Sequence, residues 1–503
     1  MSLSLNTVLK KSVSSGLANG VVLSSLLLLI SCSIVPEYQA PSLPSTQQYT
    51  HIATSSIIGG DNNNTSQQLI HENNLPAQWW TLFKSEQLNI LIERALKASP
   101  ELAAAQAVIR QAQANYLARG VTNLPSVDLN TGVSRQKFSG ASVGIPDAET
   151  TILTLYNASI DVSYTIDLFS KNKNSQQVAK SQLAQEQWRH KATHLTLTAN
   201  LVSQYIQLAA LNDELQQQQK LQAIEQSKLA LLAQDIALGG TAKAALLAQK
   251  NLMNTQQKAQ RNIEKQRAFA RNQLAILIGT TPVQLTLSLP TLKEMTLPPT
   301  LPVSLPSQLV QQRPDIQLAE SVIKAQHAAL GIAIANQYPQ LTLSSSYGTL
   351  ALDHSNLFEP ASVVWNAAAG LTQPLFNSGE LKQKEAAAQA AFEQSHARYQ
   401  QTVLVAFKQV ADSLRALDYD AQTHHQALAS EKNTADLYAL SQQEKQLGAL
   451  TKLDLLSAEQ ALHQAKINSI QAQAAQLADT VALFQSLGGG WWNNTTSDNT
   501  ENK

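Results

Sequence analysis

The sequence lacks most of the features by which soluble enzymes and nucleic-acid-binding proteins are identified. It has one cysteine, 5% aromatic residues and a formal net charge of zero. A balanced charge leaves no broad basic surface, so no nucleic-acid partner is predicted. Beyond residue 31 no run of about 18 apolar residues occurs, and no transmembrane helix is therefore predicted in the rest of the chain.

Several catalytic signatures are missing as well. The sequence contains no H-E-x-x-H, no P-loop and no dinucleotide-binding fingerprint. Its ten histidines are scattered, and the adjacent pair His424 and His425 has no acidic or thiol ligand at metal-binding spacing. We therefore predict that the protein is not an enzyme and holds neither a metal nor another cofactor.

Glycine and proline are rare in two long stretches. No glycine lies between Gly379 and Gly448, and no proline lies between Pro146 and Pro282. Apolar residues at heptad spacing run through both stretches, most regularly Val403, Phe407, Val410, Leu414, Leu417 and Ala421. These patterns predict two helical hairpins, Lys171–Gly279 and Leu381–Leu487. The outgoing arm of the second would be about 100 Å long at about 1.5 Å per residue.

The single cysteine, Cys32, directly follows a short apolar stretch, Val21–Ile30, near a basic N-terminus. This order is typical of a secretory signal segment that ends at the acylated cysteine of a bacterial lipoprotein. We predict a signal peptide at residues 1–31 and acylation of Cys32, with Ser33 favouring sorting to the outer membrane. Residues 32–75, rich in Ser, Thr, Asn, Gln and Pro, are predicted to form an extended tether. The alternative is a signal peptide with an incidental cysteine.

Four stretches alternate apolar and polar residues with a period of two, two after Pro125 and two after Pro339. The clearest is Ile160–Asp167, which carries Asp on its polar face. Each stretch alone fits a strand of a soluble sandwich, whereas the set also fits a transmembrane barrel. Since open strand edges are not tolerated in lipid, four membrane strands would require several copies of the chain.

The two halves of the chain resemble each other. Helix-forming stretches that begin at Pro100 and Pro314 match, strands follow both, and the hairpin turns align with Thr241 opposite Thr451. The period is too long for a solenoid, so a duplication is predicted. Trp79–Leu96 is predicted to be one amphipathic helix, and the proline-rich connector between the halves to contain one short strand near Gln284–Leu289.

These patterns divide the chain into predicted segments. In order they are a signal peptide (1–31), a lipidated tether (32–75), an equatorial helix with a first ascending helix (76–125), a first strand pair (126–170), a first long hairpin (171–279), an equatorial connector (280–313), a second ascending helix (314–339), a second strand pair (340–376), a second long hairpin (377–487), and a C-terminal equatorial segment with a polar tail (488–503).

Six motifs carry a family resemblance, and they span nearly the whole chain in order: Cys32 with Pro36–Pro41, Trp80–Leu96, Ser163–Phe169, Arg313–Glu320, Pro374–Gly379 and Leu487–Trp491. Together they resemble the outer-membrane efflux proteins of the TolC/OprM type. The resemblance is greatest to the NodT-like lipoprotein branch, which works with resistance-nodulation-division pumps.

The resemblance implies an α+β membrane protein with duplicated strand–hairpin halves. Three chains would form one twelve-stranded β-barrel continuous with a periplasmic α-helical barrel. It also implies an outer-membrane location, with most of the chain in the periplasm and contact with outer-membrane lipid. The implied function is a passive exit duct for drugs and other small toxic compounds. Its partners would be two further copies of the chain, a periplasmic adaptor protein and an inner-membrane pump of the resistance-nodulation-division type.

In such proteins the hairpin turns close the periplasmic end and contact the adaptor. The positions implied here are Gly239, Gly240, Thr241, Gly448, Leu450, Lys452, Leu453 and Asp454. Leu450 stands where some relatives carry Arg, and Ala245 where an Asp often lies, so a salt-bridge lock is not expected. Asp454 then either forms a partly apolar constriction with Lys452 and the leucines, or only caps the turn.

Two other functions remain open from the sequence. The first is the exit duct of a type I protein-secretion system, against which the predicted lipid anchor counts. The second is a lipid-anchored coiled-coil scaffold of the envelope, which would show neither a trimer nor a heat-modifiable barrel.

Overall fold

A computed structural model describes residues 38, 48–50, 56–59, 66–70, 75–139 and 150–493. The described chain is mostly helical. Its helices are α1 Glu86–Ala98, α2 Pro100–Gly120, α3 Lys171–Ala237, α4 Lys243–Leu277, α5 Pro306–Gln312, α6 Pro314–Ala335, α7 Glu380–Gln446 and α8 Lys452–Ser486. Its strands are β1 Ile57–Ile58, β2 Gln67–Ile70, β3 Ser126–Phe138, β4 Thr151–Ile166, β5 Thr300–Pro302, β6 Gln340–Ala351 and β7 Val363–Thr372. The predicted signal peptide, Cys32 and the end of the polar tail lie outside these ranges.

The chain divides into two compact units. The first contains residues 109–185 and 320–398 and is built on a four-stranded sheet of order β3-β4-β6-β7. All three pairings are antiparallel and run without a bulge, so the side chains alternate strictly between the two faces of the sheet. The outer edges of β3 and β7 have no partner strand among the described residues.

The second unit contains residues 42–108, 186–319 and 399–503 and holds the largest buried side chains. Its core is an aromatic cluster in which the rings of Trp79, Phe83 and Phe484 lie 5.7–6.4 Å apart between centroids. Leu88 and Ile92 of α1 are also fully buried in this unit. The cluster therefore joins the segment before α1 to the last helix of the chain.

The helical hairpins have matching dimensions. The outgoing helices α3 and α7 both contain 67 residues, and the return helices α4 and α8 both contain 35. At about 1.5 Å per residue, α3 and α7 are each about 100 Å long. Equal lengths in both halves are what a duplication of one strand–hairpin unit produces.

One predicted helix is interrupted. Trp79–Phe83 forms a 3-10 turn, and the α-helix begins only at Glu86. The break lies at Lys84, whose backbone is left-handed, and at Ser85, whose hydroxyl accepts a hydrogen bond from the Leu88 amide. The prediction of a single helix was therefore wrong, because Ser85 satisfies the first amides of a new helix.

The tether and the connector also differ from expectation. Gln67–Ile70 of the tether is a strand that pairs with β1 and, in parallel, with β5 of the connector. The strand expected near Gln284–Leu289 is absent from that described stretch, and the connector strand lies at Thr300–Pro302. Part of the tether is thus packed, since Gln67 is 1% exposed.

None of the helices within the described ranges combines the length and the apolar character needed to cross a membrane.

Candidate functional site

The four-stranded sheet has one apolar face and one polar face. The residues of the apolar face share parity along each strand, and they include Val127, Leu129, Val133, Tyr156, Ile160, Tyr164, Leu341, Leu343, Tyr347, Trp365 and Leu371. Many of these side chains are strongly exposed, for example Leu129 at 73% and Trp365 at 75%. An apolar face of this extent left open on a sheet indicates contact with lipid or with another chain.

The opposite face is lined by small polar side chains in rows across the sheet. One row contains Ser126, Ser163 and Ser344, another contains Thr165 and Thr342, and a third contains Asp128, Asp161, Ser346 and Asn366. The Asn130 amide donates to the Asp161 carboxylate, and the Ser159 hydroxyl donates to it at 3.2 Å. The row with the two aspartates is therefore held in place by neighbouring polar groups of the same face.

The first hairpin turns at Gly239 and Gly240. The amide of Gly240 donates to the Asp235 carbonyl at 2.9 Å and that of Gly239 to the Ile236 carbonyl at 3.0 Å, a Schellman motif that ends α3. Gly239 has φ +79°, a conformation that favours glycine. The Asp235 carboxylate also accepts a hydrogen bond from the Thr241 hydroxyl.

The second hairpin has the same turn with a different cap. Gly448 has φ +75°, and the Ala449 amide donates to the Glu444 carbonyl at 2.9 Å. At the start of α8, the Asp454 amide donates to the Thr451 hydroxyl at 3.2 Å, and the Thr451 amide donates to the Asp454 carboxylate at 3.3 Å. This capping box is the role that the sequence left as one of two alternatives for Asp454.

The turn geometry changes the expected alignment of the halves. Gly239 and Gly448 occupy the same position of the two Schellman motifs, so Thr241 is equivalent to Leu450. The predicted alignment of Thr241 with Thr451 is wrong by one residue, because it places Gly239 opposite Ala449 and not opposite Gly448. Ala242, equivalent to Thr451, makes no side-chain cap.

The predicted turn residues are only partly brought together. Thr451 contacts Asp454, whereas the exposed Lys452 side chain makes no ion pair or hydrogen bond among the described residues. Leu450 is half-buried, and Leu453 is 37% exposed. Within one chain these residues therefore form a capped turn, and their role as an aperture stays a prediction.

Polar contacts between the two hairpins were missed from the sequence. The Gln217 amide oxygen lies 3.0 Å from His463 Nδ1, the Gln471 amide donates to Glu214 at 3.3 Å, and the Lys228 ammonium donates to Gln460. Each contact joins α3 to α8. The sequence feature that could have indicated these contacts is Lys228. It stands seven residues after Leu221, at a heptad position where a coiled coil normally has an apolar residue.

A buried polar network holds the tether strand against the second hairpin. The Gln476 amide donates to the Gln67 amide oxygen at 3.2 Å, and His424 Nδ1 lies 2.8 Å from the Gln476 amide oxygen. Since that oxygen can only accept, Nδ1 of His424 carries the proton. Burial lowers the pKa of His424, which keeps the ring neutral and this tautomer in place.

The carboxyl groups of Asp420 in α7 and Asp479 in α8 lie next to each other. Burial, together with the adjacent Asp420 carboxylate, raises the pKa of Asp479 to about 7. The two groups share a hydrogen bond, which requires a proton on one of them. Because the pKa is raised in the folded state, the pair is most favourable at acidic pH, and its contribution to stability declines as the pH rises towards 7.

No cluster of three His, Cys, Asp or Glu side chains suited to a metal ion occurs among the described residues. The pattern G-x-S-x-G occurs in the sequence at Gly140–Gly144, which lies outside the residues that the structure describes. It connects strand β3 to strand β4, whereas a nucleophile elbow connects a strand to a helix.

Residues 91–280 and 305–489 match the family model described as outer membrane efflux protein. The chain belongs to the outer membrane efflux protein family. It is accordingly an outer-membrane protein with a role in efflux, as the sequence predicted. Both hairpins and all four strands of the large sheet lie within the matched residues.

The names of two relatives of this efflux protein specify different transported compounds. It is 31% identical over 422 residues to the pyoverdine export outer membrane protein OpmQ of Pseudomonas putida, covering 83% of this chain and 89% of that protein. It is 27% identical over 471 residues to the cation efflux system protein CusC of Escherichia coli, covering 92% and 97%.

The solved structures show the same fold. The CmeC outer membrane channel of Campylobacter jejuni matches with a TM-score of 0.79 and 20% identity, over 92% of this chain and 96% of that one. The predicted fold class, with duplicated strands and long helical hairpins, is confirmed.

Proposed function

We propose that this efflux protein is a homotrimer that forms the outer-membrane exit duct of a tripartite pump. Drugs and other small toxic compounds leave through it passively. An inner-membrane pump of the resistance-nodulation-division type supplies the energy, and a periplasmic adaptor joins the pump to the duct. The observation that carries this proposal is the sheet, with its apolar face, its polar face and its two unpaired edges.

The unpaired edges support assembly from several copies. A strand edge exposes amide and carbonyl groups that cannot remain unpaired in lipid. When β3 of one copy pairs with β7 of the next, the contact is head-to-tail and closes into a ring. Three copies, each with a four-stranded sheet, give a barrel of twelve strands.

The dimensions of the apolar face support its contact with lipid. The apolar rows extend from that of Ile166 to that of Tyr156, which is about 33 Å along β4 at about 3.3 Å per residue. With the strands tilted by about 40°, the apolar band is about 25 Å tall, the height found in outer-membrane barrels. The polar face then lines a water-filled duct.

The small side chains of the polar face support a duct that discriminates little among transported compounds. Ser, Thr, Asn and Gly predominate in its rows, as in the row of Ser126, Ser163 and Ser344. The names of the two relatives specify pyoverdine export in one case and cation efflux in the other. We infer that the pump determines the cargo of this protein.

The hairpin turns around Gly239 and Gly448 are proposed to close the periplasmic end and to contact the adaptor. The α3–α8 contacts of Lys228 and His463 support this, since they tie the two hairpins of a chain together before their turns. Because Leu450 stands where some relatives carry Arg, these contacts take the place of a salt-bridge lock.

Pore formation by the purified protein tests the proposal. We expect a trimer in mild detergent that migrates as a monomer after boiling, and ion conductance in planar bilayers that rises in Asp454→Ala because the second turn loses its cap. A boiled sample serves as the control for both readouts. A protein that remains monomeric and gives no conductance, even as Asp454→Ala, contradicts the proposed duct.

Acylation is a separate prediction. Labelled palmitate should be incorporated into the wild-type chain and be lost in Cys32→Ala, because the sequence has no other thiol. Ser31→Ala is the matched control, since a small residue before the cysteine is retained and labelling should persist. Label in Cys32→Ala would show that the processing site is wrong.

A further inference from the structure

The two basic residues of the four-stranded sheet lie on the apolar face. Arg135 and Lys137 are the only Arg or Lys residues within strands β3, β4, β6 and β7. The β3–β4 register is unbroken from Ser126 to Phe138, so both residues share the face of Val127, Leu129 and Val133. Charged side chains on a lipid-facing surface are costly unless they lie at an interface.

Their height on the sheet places them at such an interface. The last apolar row contains Val133 and Tyr156, and an aromatic residue at this level is typical of a membrane boundary. Arg135 and Lys137 follow at about 5 Å and about 10 Å above that row, given the rise and tilt of the strands. Both therefore stand where lipid headgroups begin.

The end of the sheet identifies which leaflet they meet. Arg135 and Lys137 lie towards the β3–β4 connection, whereas the other end of the sheet continues into the helices. At that other end the same face carries Ile166, Leu341 and Leu371 and no charge. Since the helices are periplasmic in the proposed duct, the basic pair meets the outer leaflet.

Neither basic group is neutralised by another residue of the part of the chain that the structure describes. Both side chains are exposed, and neither makes an ion pair or a hydrogen bond among the described residues. The residues paired with them on β4 are Thr154 and Ile152, which carry no charge. A guanidinium and an ammonium about 7 Å apart at headgroup level are suited to lipid phosphate groups.

We infer that Arg135 and Lys137 of each subunit bind the phosphate groups of the phosphorylated glycolipid in the outer leaflet of the outer membrane. The inference rests on the proposed duct, which supplies the orientation. The apolar rows below the pair contact the acyl chains, and the basic pair holds the headgroup. Each assembly would carry one such site per subunit, on the outside of the barrel.

The test is the glycolipid that remains bound to protein extracted from outer membranes in mild detergent. In the double variant Arg135→Gln/Lys137→Gln we expect the glycolipid phosphate per trimer to fall by roughly threefold or more. The matched control is Lys171→Gln/Lys173→Gln, which removes the same charge at the other end of the strands and should retain wild-type glycolipid. Equal glycolipid in both double variants overturns the inference.

A second arm identifies the lipid. Wild-type protein stripped of lipid is returned to vesicles of phosphatidylcholine that contain either the phosphorylated glycolipid or phosphatidylglycerol, and bound lipid is measured by native mass spectrometry. Preference for the glycolipid that is lost in the double variant supports the inference, whereas equal binding of phosphatidylglycerol overturns the assignment to the glycolipid.

Conductance separates this inference from the proposed duct. The double variant should still form trimers that conduct like the wild type, because Arg135 and Lys137 lie on the outer face. If the wild type itself neither assembles nor conducts, the duct proposal fails. If the double variant does not assemble, Lys137→Gln alone provides the comparison, and undiminished glycolipid in that variant counts against the site.

Discussion

Substitution of Gly490 by Ala should remove most of the assembled protein from the outer membrane. Gly490 has φ +73°, which costs an L-amino acid about 1–2 kcal/mol. A Cβ atom at this position would lie 2.4 Å from the Leu75 carbonyl oxygen and 2.5 Å from that of Pro76. Both neighbours are backbone atoms, so the C-terminal segment must move away from them.

Such a movement would break the contacts that follow Gly490. The indole N–H of Trp491 donates to the Gln312 carbonyl at 2.7 Å, and the Asn493 amide donates to the Leu75 carbonyl at 2.7 Å. The Lys191 ammonium lies 3.6 Å from the centre of the Trp491 ring. Together these contacts hold residues 491–493 against the connector, against α3 and against the segment before α1. Their joint loss is expected to cost several kcal/mol, about half or more of a typical domain's stability.

The measurement is the amount of heat-modifiable trimer in outer-membrane fractions. Gly370→Ala is the matched control and should give wild-type amounts, because no atom of the described residues of the chain lies within 4 Å of a Cβ added at Gly370. Gly489→Ala should give an intermediate amount of trimer. Its backbone has a positive φ, but the added Cβ would contact the movable side chain of Leu195 and not a backbone atom. Equal amounts in Gly490→Ala and Gly370→Ala would mean that the C-terminal segment is not needed for assembly.

The close approach at Gly490 could not have been predicted from the sequence. The three consecutive glycines belong to the family motif Leu487–Trp491, but the neighbouring Leu75 lies more than 400 residues earlier in the chain. Local patterns predict elements, whereas a contact of this kind depends on the packing of several elements at once. The same applies to Gln67, which looked like part of a polar tether and is buried by partners from the connector and α8.

The local patterns did predict the fold class. Strict alternation after Pro125 and Pro339 indicated strands, and heptad spacing without glycine indicated the hairpins, because both periods follow directly from backbone geometry. Pairing between strands is different. That Asp128 lies opposite Asp161 depends on the register of β3 and β4, which the connection between them does not encode in any readable pattern.

Because Asp128 lies opposite Asp161, we expect the double variant Asp128→Asn/Asp161→Asn to change the ion selectivity of the pore. The two aspartates are the only charged residues on the polar face of the strands, and they occupy one row. In a barrel of three copies the row becomes a ring of six carboxylates, about 10 Å from the axis of a twelve-stranded barrel. We expect the wild-type pore to prefer K⁺ to Cl⁻ and the variant to lose most of that preference.

The expected size follows from Coulomb attraction in water. Six charges at about 10 Å, screened over a Debye length of about 10 Å in 0.1 M salt, favour a cation over an anion at the ring by roughly twentyfold. The preference should decrease in 1 M salt, where the Debye length is about 3 Å. The Asp→Asn double variant should show little preference at either concentration, because the asparagines keep the shape of the row without its charge.

Reversal potentials in a KCl gradient measure this preference. Ser346→Ala is the matched control, since Ser346 lies in the same row and its loss leaves the charge unchanged. The strand register bears on transport because the carboxylates affect permeating ions only if the polar face lines the duct. If the double variant conducts and keeps the wild-type selectivity and salt dependence, the charged ring is not in the path of the ions, and the orientation of the sheet faces proposed above is incorrect.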